Sequence, residues 1–530
     1  MIKLILPLLL ILCVPLLGAD KDKSLPKDFK SLKALAEEGD AEAQNQLANR
    51  YYWGKGVNVD KAHSFKWASR SAKQNNPKAK VRLAWLYYEG GGVPQDTIKA
   101  QALFKESKAE LLELAKRGNA NTQFHLGGMY YKGLGGVEKD EKEAFKWILK
   151  AARQDIPEAQ SALGNMYAEG KGIKKDEKEG LAWLHKAVAQ NLPEARSVLG
   201  MLHLEGELGV NKDVDKGLKL IRESVGQKCP NAQYLLGSTY LMEEAAVKFG
   251  VEKDTEKGLQ LLRASAKQGS SLSQYTLATL YLSGQMGVKK DAENGIKLLR
   301  MSANQEYPNA QHLLSIIYFS GQFGVDKDVG EGLKLLRKAA EQDNLKAQNR
   351  LAYMYFNGRG VKKDFAEAVK WWNKAAEQGY ITAQVNLGQM YEIGKGVEQD
   401  FKKAVKWYRK AAEQGNPNAQ SLLGARYYLG QGVEKDFKQA EKWIRKAAEQ
   451  GDVIAQGNLG KVYQDGKAGI EKNDVTAYAW WNIAASNGNA TAKENKDIIA
   501  RKMTAEDISK AETLVKEMIK KNPKLLKKKE

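Results

Sequence analysis

The histidine and acidic residues of this 530-residue chain do not form a pattern that carries chemistry. Aspartate and glutamate recur at positions typical of helix caps and solvated surfaces, which explains them without catalysis. The histidines lie far apart, and none has the spacing of a metal ligand set. They are His63, His125, His185, His203 and His312. We therefore expect no metal, no cofactor and no catalytic residue.

The glycine-rich stretches lack the residues that phosphate binding requires. A typical one, Gly394-Lys395-Gly396-Val397, has no following Lys-Ser or Lys-Thr pair, and no strand precedes it. The chain also has no Gly-x-Ser-x-Gly nucleophile motif. Because glycine readily adopts positive φ, these stretches are typical of turns that end helices. The sequence thus predicts a protein that is not an enzyme.

Residues 1–19 are typical of a secretory signal peptide, with one lysine, an apolar run and small residues before the expected cleavage between Ala19 and Asp20. We expect an exported protein, periplasmic or secreted, which would be membrane-anchored if the signal were retained. No later segment is apolar enough to cross a bilayer. After cleavage Cys229 is the single cysteine, so the mature chain has no intrachain disulfide.

The formal net charge of +20 favours anionic partners such as an acidic protein surface, an anionic lipid or nucleic acid. A solvated, self-repelling surface explains the same charge. The basic tail at 521–530 offers a weak contact with an anionic surface, or is simply solvated.

A phrase of about 22 residues, AEQGYITAQVNLGQMYEIGKGV at 376–397, recurs along the chain. Its leucine is spaced by 36 or 37 residues, except for intervals of 43 and 41 residues. A fixed period in this range is the signature of a solenoid. We number the repeats 1 to 12 by this leucine, which is Leu47, Leu83, Leu126, Leu163, Leu199, Leu236, Leu277, Leu314, Leu351, Leu387, Leu423 and Leu459.

Each repeat is expected to form two helices. In repeat 10, Ala383, Leu387 and Tyr391 fall on one face of the first helix, and Gly388 predicts a close approach by a neighbouring helix. Asp400 is placed to cap the second helix. That helix buries an alanine and tryptophan face, except in repeat 2 and in repeats 5–8, whose second helices contain no tryptophan; none lies between Trp183 and Trp371.

The consensus G-x-x-x-A-Q-x-x-L-G-x-x-Y…G-x-G-V-x-x-D…A-x-x-W-x-x-x-A-A-x-x-G resembles the Sel-one-like repeat (SLR), a relative of the tetratricopeptide repeat, over roughly residues 27–515. The resemblance implies an all-α fold, a right-handed superhelical α-solenoid of about twelve antiparallel helix pairs. It also implies adaptor or regulator roles. A cysteine-rich branch of the family is assigned β-lactamase activity, but this chain lacks the cysteine pairs of that branch.

The array is expected to be capped at both ends, because terminal repeats need a polar outer face. The predicted organisation is a signal peptide at 1–19, a linker and capping helix at 20–38, repeats 1–4 at 39–190, a Trp-free sub-array of repeats 5–8 at 191–342, repeats 9–12 at 343–487, capping helices at 488–520 and a basic tail at 521–530.

The resemblance implies that the first helices line a concave face, where an aromatic stripe would suit a peptide or protein ligand. The stripe is drawn from the position two before the repeat leucine, and from Tyr353, two after it. The candidate ligand contacts are Phe124, Tyr234, Tyr275, His312, Tyr353 and Val385.

The leading hypothesis is a non-enzymatic scaffold or adaptor that binds a protein or peptide along this face. The alternative is a binder of an acidic polymer such as a glycan, a cell-wall polymer or nucleic acid, of which nucleic acid is least favoured. A more remote alternative is a β-lactamase-like hydrolase.

Overall fold

The computed structural model describes residues 25–26, 28–53, 56–57, 60–93, 96–466 and 470–526. The predicted signal peptide lies outside these residues. The described part contains 28 α-helices and a final 3-10 turn, so the predicted all-α repeat fold is confirmed. The handedness of the superhelix stays a prediction.

Twelve helices are the first helices of the repeats. They are α2 Ala41–Trp53, α4 Pro77–Glu89, α6 Ala120–Lys132, α8 Pro157–Glu169, α10 Pro193–Glu205, α12 Pro230–Leu241, α15 Ser271–Ser283, α17 Pro308–Ser320, α19 Leu345–Asn357, α21 Ile381–Ile393, α23 Pro417–Leu429 and α25 Val453–Asp465.

Twelve others are the second helices. They are α3 Lys61–Lys73, α5 Thr97–Lys116, α7 Glu141–Ala152, α9 Glu177–Ala189, α11 Val214–Gly226, α14 Thr255–Lys267, α16 Ala292–Asn304, α18 Val329–Glu341, α20 Phe365–Glu377, α22 Phe401–Glu413, α24 Phe437–Glu449 and α26 Asp474–Ser486.

The remaining helices lie at the ends and in one insertion. They are α1 Phe29–Glu38, α13 Glu243–Lys248 within repeat 6, α27 Ala490–Ala500 and α28 Ala505–Lys521, and the 3-10 turn spans Pro523–Leu525. The other long repeat, repeat 2, extends its second helix, since α5 has 20 residues where α3 has 13. Among the helices just given, none is both long and apolar enough to cross a membrane.

The chain divides into two compact bodies. Among the described residues, the N-terminal body comprises those up to Leu314 together with Gln322–Val325, and the C-terminal body comprises Ser315–Gly321 and those from Asp326 onward. In the N-terminal body, distant repeats touch, since the Tyr88 hydroxyl donates a hydrogen bond to Glu306 Oε2 at 3.0 Å across 218 residues. Repeat 2 therefore contacts repeat 7 within that body.

The repeat motif marks where each helix begins and ends. Asp400 caps α22 by accepting a hydrogen bond from the Lys403 amide at 2.9 Å, and this bond is the main cause that lowers the pKa of Asp400. Gly394 ends α21 in the left-handed conformation at φ 66°. Gly396 lies against the previous second helix, where a Cβ would stand 2.3 Å from the Phe365 carbonyl oxygen.

The glycine after the repeat leucine allows the two helices of a repeat to pack closely, as the sequence predicts. A Cβ on Gly388 would lie 2.5 Å from the Tyr408 ring, and one on Gly424 would lie 2.5 Å from Ile444 Cγ1. In repeat 4 the contact is between backbones, because a Cβ on Gly164 would lie 2.8 Å from the Gly180 carbonyl oxygen. A side chain at any of these three glycines would require the facing side chain or helix to move.

In repeats 5–8, a second glycine makes room for a bulkier residue on the facing first helix. A Cβ on Gly217 would lie 2.8 Å from Leu204, and one on Gly332 would lie 2.8 Å from Phe319. Repeats 6 and 7 have the same arrangement at Gly258 and Gly295. In the Trp-free repeats, therefore, a glycine on the second helix packs against a large side chain on the first helix.

Buried glutamines join successive helices in a polar ladder. The Gln384 side chain donates to the Ala376 carbonyl of the preceding repeat at 3.1 Å and accepts from Gln414 of its own repeat at 2.8 Å. The same pair of bonds occurs at Gln420, which contacts Ala412 and Gln450. This explains the glutamines in the Ala-Gln and Glu-Gln-Gly parts of the motif, since buried amides require partners.

Candidate functional site

The candidate site is the face made by consecutive first helices of the C-terminal body. The Asn386 side-chain amide in α21 donates to the Tyr353 hydroxyl in α19 at 2.9 Å. Arg426 in α23 forms an ion pair of 3.2 Å with Glu392 in α21. These contacts join α19, α21 and α23 side by side into one continuous face.

The C-terminal halves of these first helices expose large side chains to solvent, whereas their N-terminal halves are mostly covered by neighbouring helices. Large apolar side chains are exposed there: Tyr353 at 38%, Ile393 at 48% and Leu429 at 51%. Ile393 and Leu429 occupy the same position in repeats 10 and 11, directly before the loop glycine. We call Tyr353, Ile393 and Leu429 the apolar row.

Two arginines lie on the helices of the apolar row. The Nε atoms of Arg350 and Arg426 are buried without a hydrogen-bond partner among the described residues. Burial lowers the pKa of Arg350. Because these Nε atoms are enclosed by protein, they are not open to a ligand, and the row itself is the accessible part of the face.

Glu392 is held in place between the two helices of its repeat and the next one. It accepts a hydrogen bond from the Tyr408 hydroxyl at 2.7 Å as well as the ion pair with Arg426. Burial and the Glu392 carboxylate together raise the pKa of Tyr408 far above its ordinary value. Arg426 is thereby fixed beside Leu429.

Of the residues predicted in the C-terminal body, Tyr353 is exposed and Val385 is buried. The Tyr353 ring packs edge-on against Trp372, with centroids 5.3 Å apart. Val385 is 5% exposed and packs in a cluster with Ala404 and Tyr408. The position two before the repeat leucine lies in the covered half of the first helix, so Val385 has little surface for a ligand.

In the N-terminal body the same position is again mostly covered. Phe124 is 1% exposed and Tyr234 is 5% exposed, whereas Tyr275 and His312 are half-buried. The Tyr275 ring lies 5.3 Å from the buried Tyr307 ring. Burial raises the pKa of Tyr234 and of Tyr275. Ligand contact by these residues stays a prediction, and Tyr275 and His312 have the accessible surface it needs.

The exposed Ile393 and Leu429 were not among the residues predicted from the sequence. Their signal is visible in the motif, since an apolar residue stands before the loop glycine in Tyr-Glu-Ile-Gly and Tyr-Tyr-Leu-Gly. Periodicity alone places this position near the end of the first helix, but it does not show which face of that helix is exposed to solvent.

Residues with catalytic or metal-binding potential do not converge in the described ranges. No group of three histidine, cysteine, aspartate or glutamate residues is placed to hold a metal ion there. His125 is buried, and burial together with the nearby Arg82 lowers its pKa to about 3. A neutral, enclosed imidazole of this kind belongs to the packing of α6.

Stacked helix pairs, loop glycines at fixed positions and a face shared between repeats define an α-solenoid repeat protein. The Sel1 repeat model matches the chain twelve times, and the chain belongs to this family. The matches cover 41–76, 77–109, 120–156, 157–192, 193–224, 230–270, 271–307, 308–344, 345–380, 381–416, 417–452 and 453–489.

Curated relatives share part of the array. The chitin synthase regulator SKT5 of Saccharomyces cerevisiae is 30% identical over 195 residues, which cover 29% of this chain and 28% of SKT5. The ERAD-associated E3 ubiquitin-protein ligase component HRD3A of Arabidopsis thaliana is 26% identical over 178 residues, 26% of each chain. This chain therefore spans only about a quarter of the length of these relatives.

Solved structures of similar proteins include a protective antigen of uropathogenic Escherichia coli with an SLR fold. It is 32% identical, with 94% of this chain and 96% of the antigen covered and a TM-score of 0.39. A Sel1 repeat protein from Oxalobacter formigenes is 31% identical, with 61% and 92% covered and a TM-score of 0.40.

Proposed function

We propose that this protein is a non-catalytic scaffold or adaptor that binds a protein partner along the first helices of its C-terminal body. The observation that carries the proposal is the apolar row, in which Tyr353, Ile393 and Leu429 are exposed on helices already joined by polar contacts. Aromatic and apolar anchors of this kind provide most of the energy of protein interfaces. The Sel1 relatives named as a regulator and a ligase component support this class of function.

The chemistry of the face specifies the kind of segment it would take. Apolar side chains would cover the apolar row, and acidic side chains would be attracted by the basic surface of the chain. A mildly acidic, leucine- or phenylalanine-containing segment has both features, and it complements the net charge of +20.

The test is cross-linking and capture of partners with the full chain in its native compartment. A double variant, Ile393→Asp with Leu429→Asp, is compared with a control, Ile98→Asp, whose isoleucine is 82% exposed on the second helix α5. We expect the same partner with the native chain and the control, and at least a tenfold loss with the double variant. Equal capture by all three would contradict the proposal.

Salt dependence separates this proposal from binding of an acidic polymer. Exposed lysines on the second helices, such as Lys402, Lys406 and Lys410 on α22, are the surface a polyanion would use. Counterion release makes such binding fall steeply between about 50 and 200 mM salt. Binding that collapses with salt, and is the same in the double variant, would favour the polymer.

We also propose that the protein is exported, on the basis of the sequence of residues 1–19. The prediction is a mature chain that begins at Asp20 and appears in the periplasmic or secreted fraction. Mass spectrometry of the purified native protein measures this directly, and a chain that retains Met1 would contradict cleavage.

A further inference from the structure

The last described residues are docked on the array, although the sequence favours a solvated tail there. Leu525 is only 2% exposed and lies in the same buried cluster as Ala448, Trp480 and Ile483. Its neighbours Pro523 and Lys524 are exposed. Leu526 is half-buried against the same cluster, so Leu525 is the main anchor of a short turn, in the manner of a peptide ligand.

The backbone of this tail is held by the end of the glutamine ladder. The Leu525 carbonyl accepts two hydrogen bonds, from the Gln456 side chain at 2.9 Å and the Asn487 side chain at 2.7 Å. The Asn522 side chain donates to the Glu449 carbonyl at 2.7 Å. The Lys524 carbonyl passes over Gly451, where a Cβ would stand 2.6 Å away.

Repeat 12 differs from its neighbours at two positions that receive the tail. In repeats 10 and 11 a lysine covers the tryptophan of the second helix, with Lys410 4.5 Å from the Trp407 ring and Lys446 4.6 Å from the Trp443 ring. The corresponding residue of repeat 12 is the buried Ile483, beside Trp480.

The second difference is a shorter side chain that carries the amide group. The second helices of repeats 10 and 11 are followed by the cap residues Gln414 and Gln450, whereas that of repeat 12 is followed by Asn487. Asn487 donates both to Gln456 and to the Leu525 carbonyl. Gly415, the equivalent of Gly451 one repeat earlier, has no atom of the described residues within 4 Å of a Cβ position, so none of the described segments crosses it.

We propose that the surface around Gln456, Ile483 and Asn487 is a peptide-binding site, which residues 522–526 occupy in cis and which a partner segment of the same chemistry occupies in trans. The ligand is a short turn that presents a leucine side chain to Trp480 and Ile483 and its carbonyl to the two amides. This site is separate from the apolar row, so either proposal can fail without the other.

The tethered tail competes with any peptide added in trans. A tail joined by a short connection has an effective concentration on the order of millimolar, which keeps the site filled in the native chain. Replacement of Leu525 by aspartate removes the anchor and opposes burial of the segment, so the site becomes available while the array is kept intact.

The experiment measures binding of a fluorescent peptide, IKKNPKLLKKKE, which copies residues 519–530, to three full-length variants by anisotropy. We expect Leu525→Asp to bind it at least tenfold more tightly than the native chain. Addition of Ile483→Lys, the residue type of repeats 10 and 11, should abolish that gain. The control is Leu525→Asp with Ile498→Lys, which adds the same charge on α27 and should keep the gain.

A second peptide, IKKNPKDLKKKE, tests whether binding depends on the leucine or only on basic charge. Equal binding of the two peptides would overturn the proposal, as would equal binding by the native chain and the Leu525→Asp variant. A second measurement, without added peptide, is the rate at which trypsin cleaves the chain after Lys524. Ile483→Lys alone should speed it at least tenfold, and an unchanged rate would also overturn the proposal.

Discussion

The recurring buried glutamines of this protein are held by carbonyls at the end of the preceding helix. The last carbonyls of each second helix have no partner within the helix. The Ala376 carbonyl accepts from the Gly379 amide of the turn and from the Gln384 side chain. The Ala412 carbonyl accepts from the Gly415 amide and the Gln420 side chain. The glutamine is therefore a packing residue of the repeat, and its recurrence in the sequence reflects a structural requirement of every unit.

The buried His125 predicts how stability depends on pH. Its pKa is lowered to about 3 in the folded chain, from an ordinary value of 6.5, so the unfolded chain binds the proton first as the pH falls. The contribution of neutral His125 to the free energy of unfolding is fully present above pH 6.5 and is lost as the pH falls below that value. Compared with His125→Gln, the native chain should lose up to about 2 kcal/mol between pH 7.5 and pH 5.

Urea unfolding of the two proteins at both pH values measures this difference. Gln is a suitable replacement because it is neutral throughout the range and keeps a polar group near Nδ1, which has no hydrogen-bond partner in the described part of α6. Parallel pH profiles for the native chain and the variant would show that His125 does not titrate as its burial requires.

At the scale of the helix, glycine has opposite roles at different positions. Gly424 lies under Ile444, and a Cβ there would also stand 3.0 Å from the Ala440 carbonyl oxygen. Gly330, in the first turn of α18, has only the Asp328 side chain nearby, at 3.4 Å. The first glycine keeps two helices close, whereas the second only lowers helix stability.

The two alanine substitutions should therefore change stability in opposite directions. Gly424→Ala forces α23 and α24 apart and should destabilise the protein by about 1–3 kcal/mol. Gly330→Ala removes unfolded-state entropy and should stabilise it by about 0.4–1 kcal/mol. Denaturant unfolding of both variants gives the sign, and destabilisation by both would show that Gly330 also has a packing role.

The whole molecule is an array in which a repeat packs mainly against its neighbours. The C-terminal body follows this rule, with buried clusters that pass from one helix pair to the next, such as the one from Leu336 through Trp372 to Trp407. In the N-terminal body the bond between Tyr88 and Glu306 adds a contact between repeats far apart in sequence. Stability in an array is approximately a sum of repeat and nearest-neighbour terms.

The destabilising effect of removing a core tryptophan should accordingly be confined to the neighbouring repeats. Trp372 is 1% exposed, and Trp372→Ala should remove about 3–5 kcal/mol of packing. Hydrogen exchange followed by mass spectrometry should show faster exchange in residues 345–416 and unchanged exchange in residues 41–116. A uniform increase along the chain would show that the array unfolds as one cooperative unit.

The sequence by itself determined the repeat, because helix periodicity, capping aspartates and turn glycines act over a few residues and recur in most units. It also determined that Gly388 marks a close helix approach. The open side of the first helices depends on how neighbouring repeats cover one another. Only the tertiary structure therefore exposed Ile393 and Leu429 and buried Phe124, Tyr234 and Val385. The same reason applies to Leu525, since its partners lie 38 and 69 residues away, beyond the reach of any local pattern.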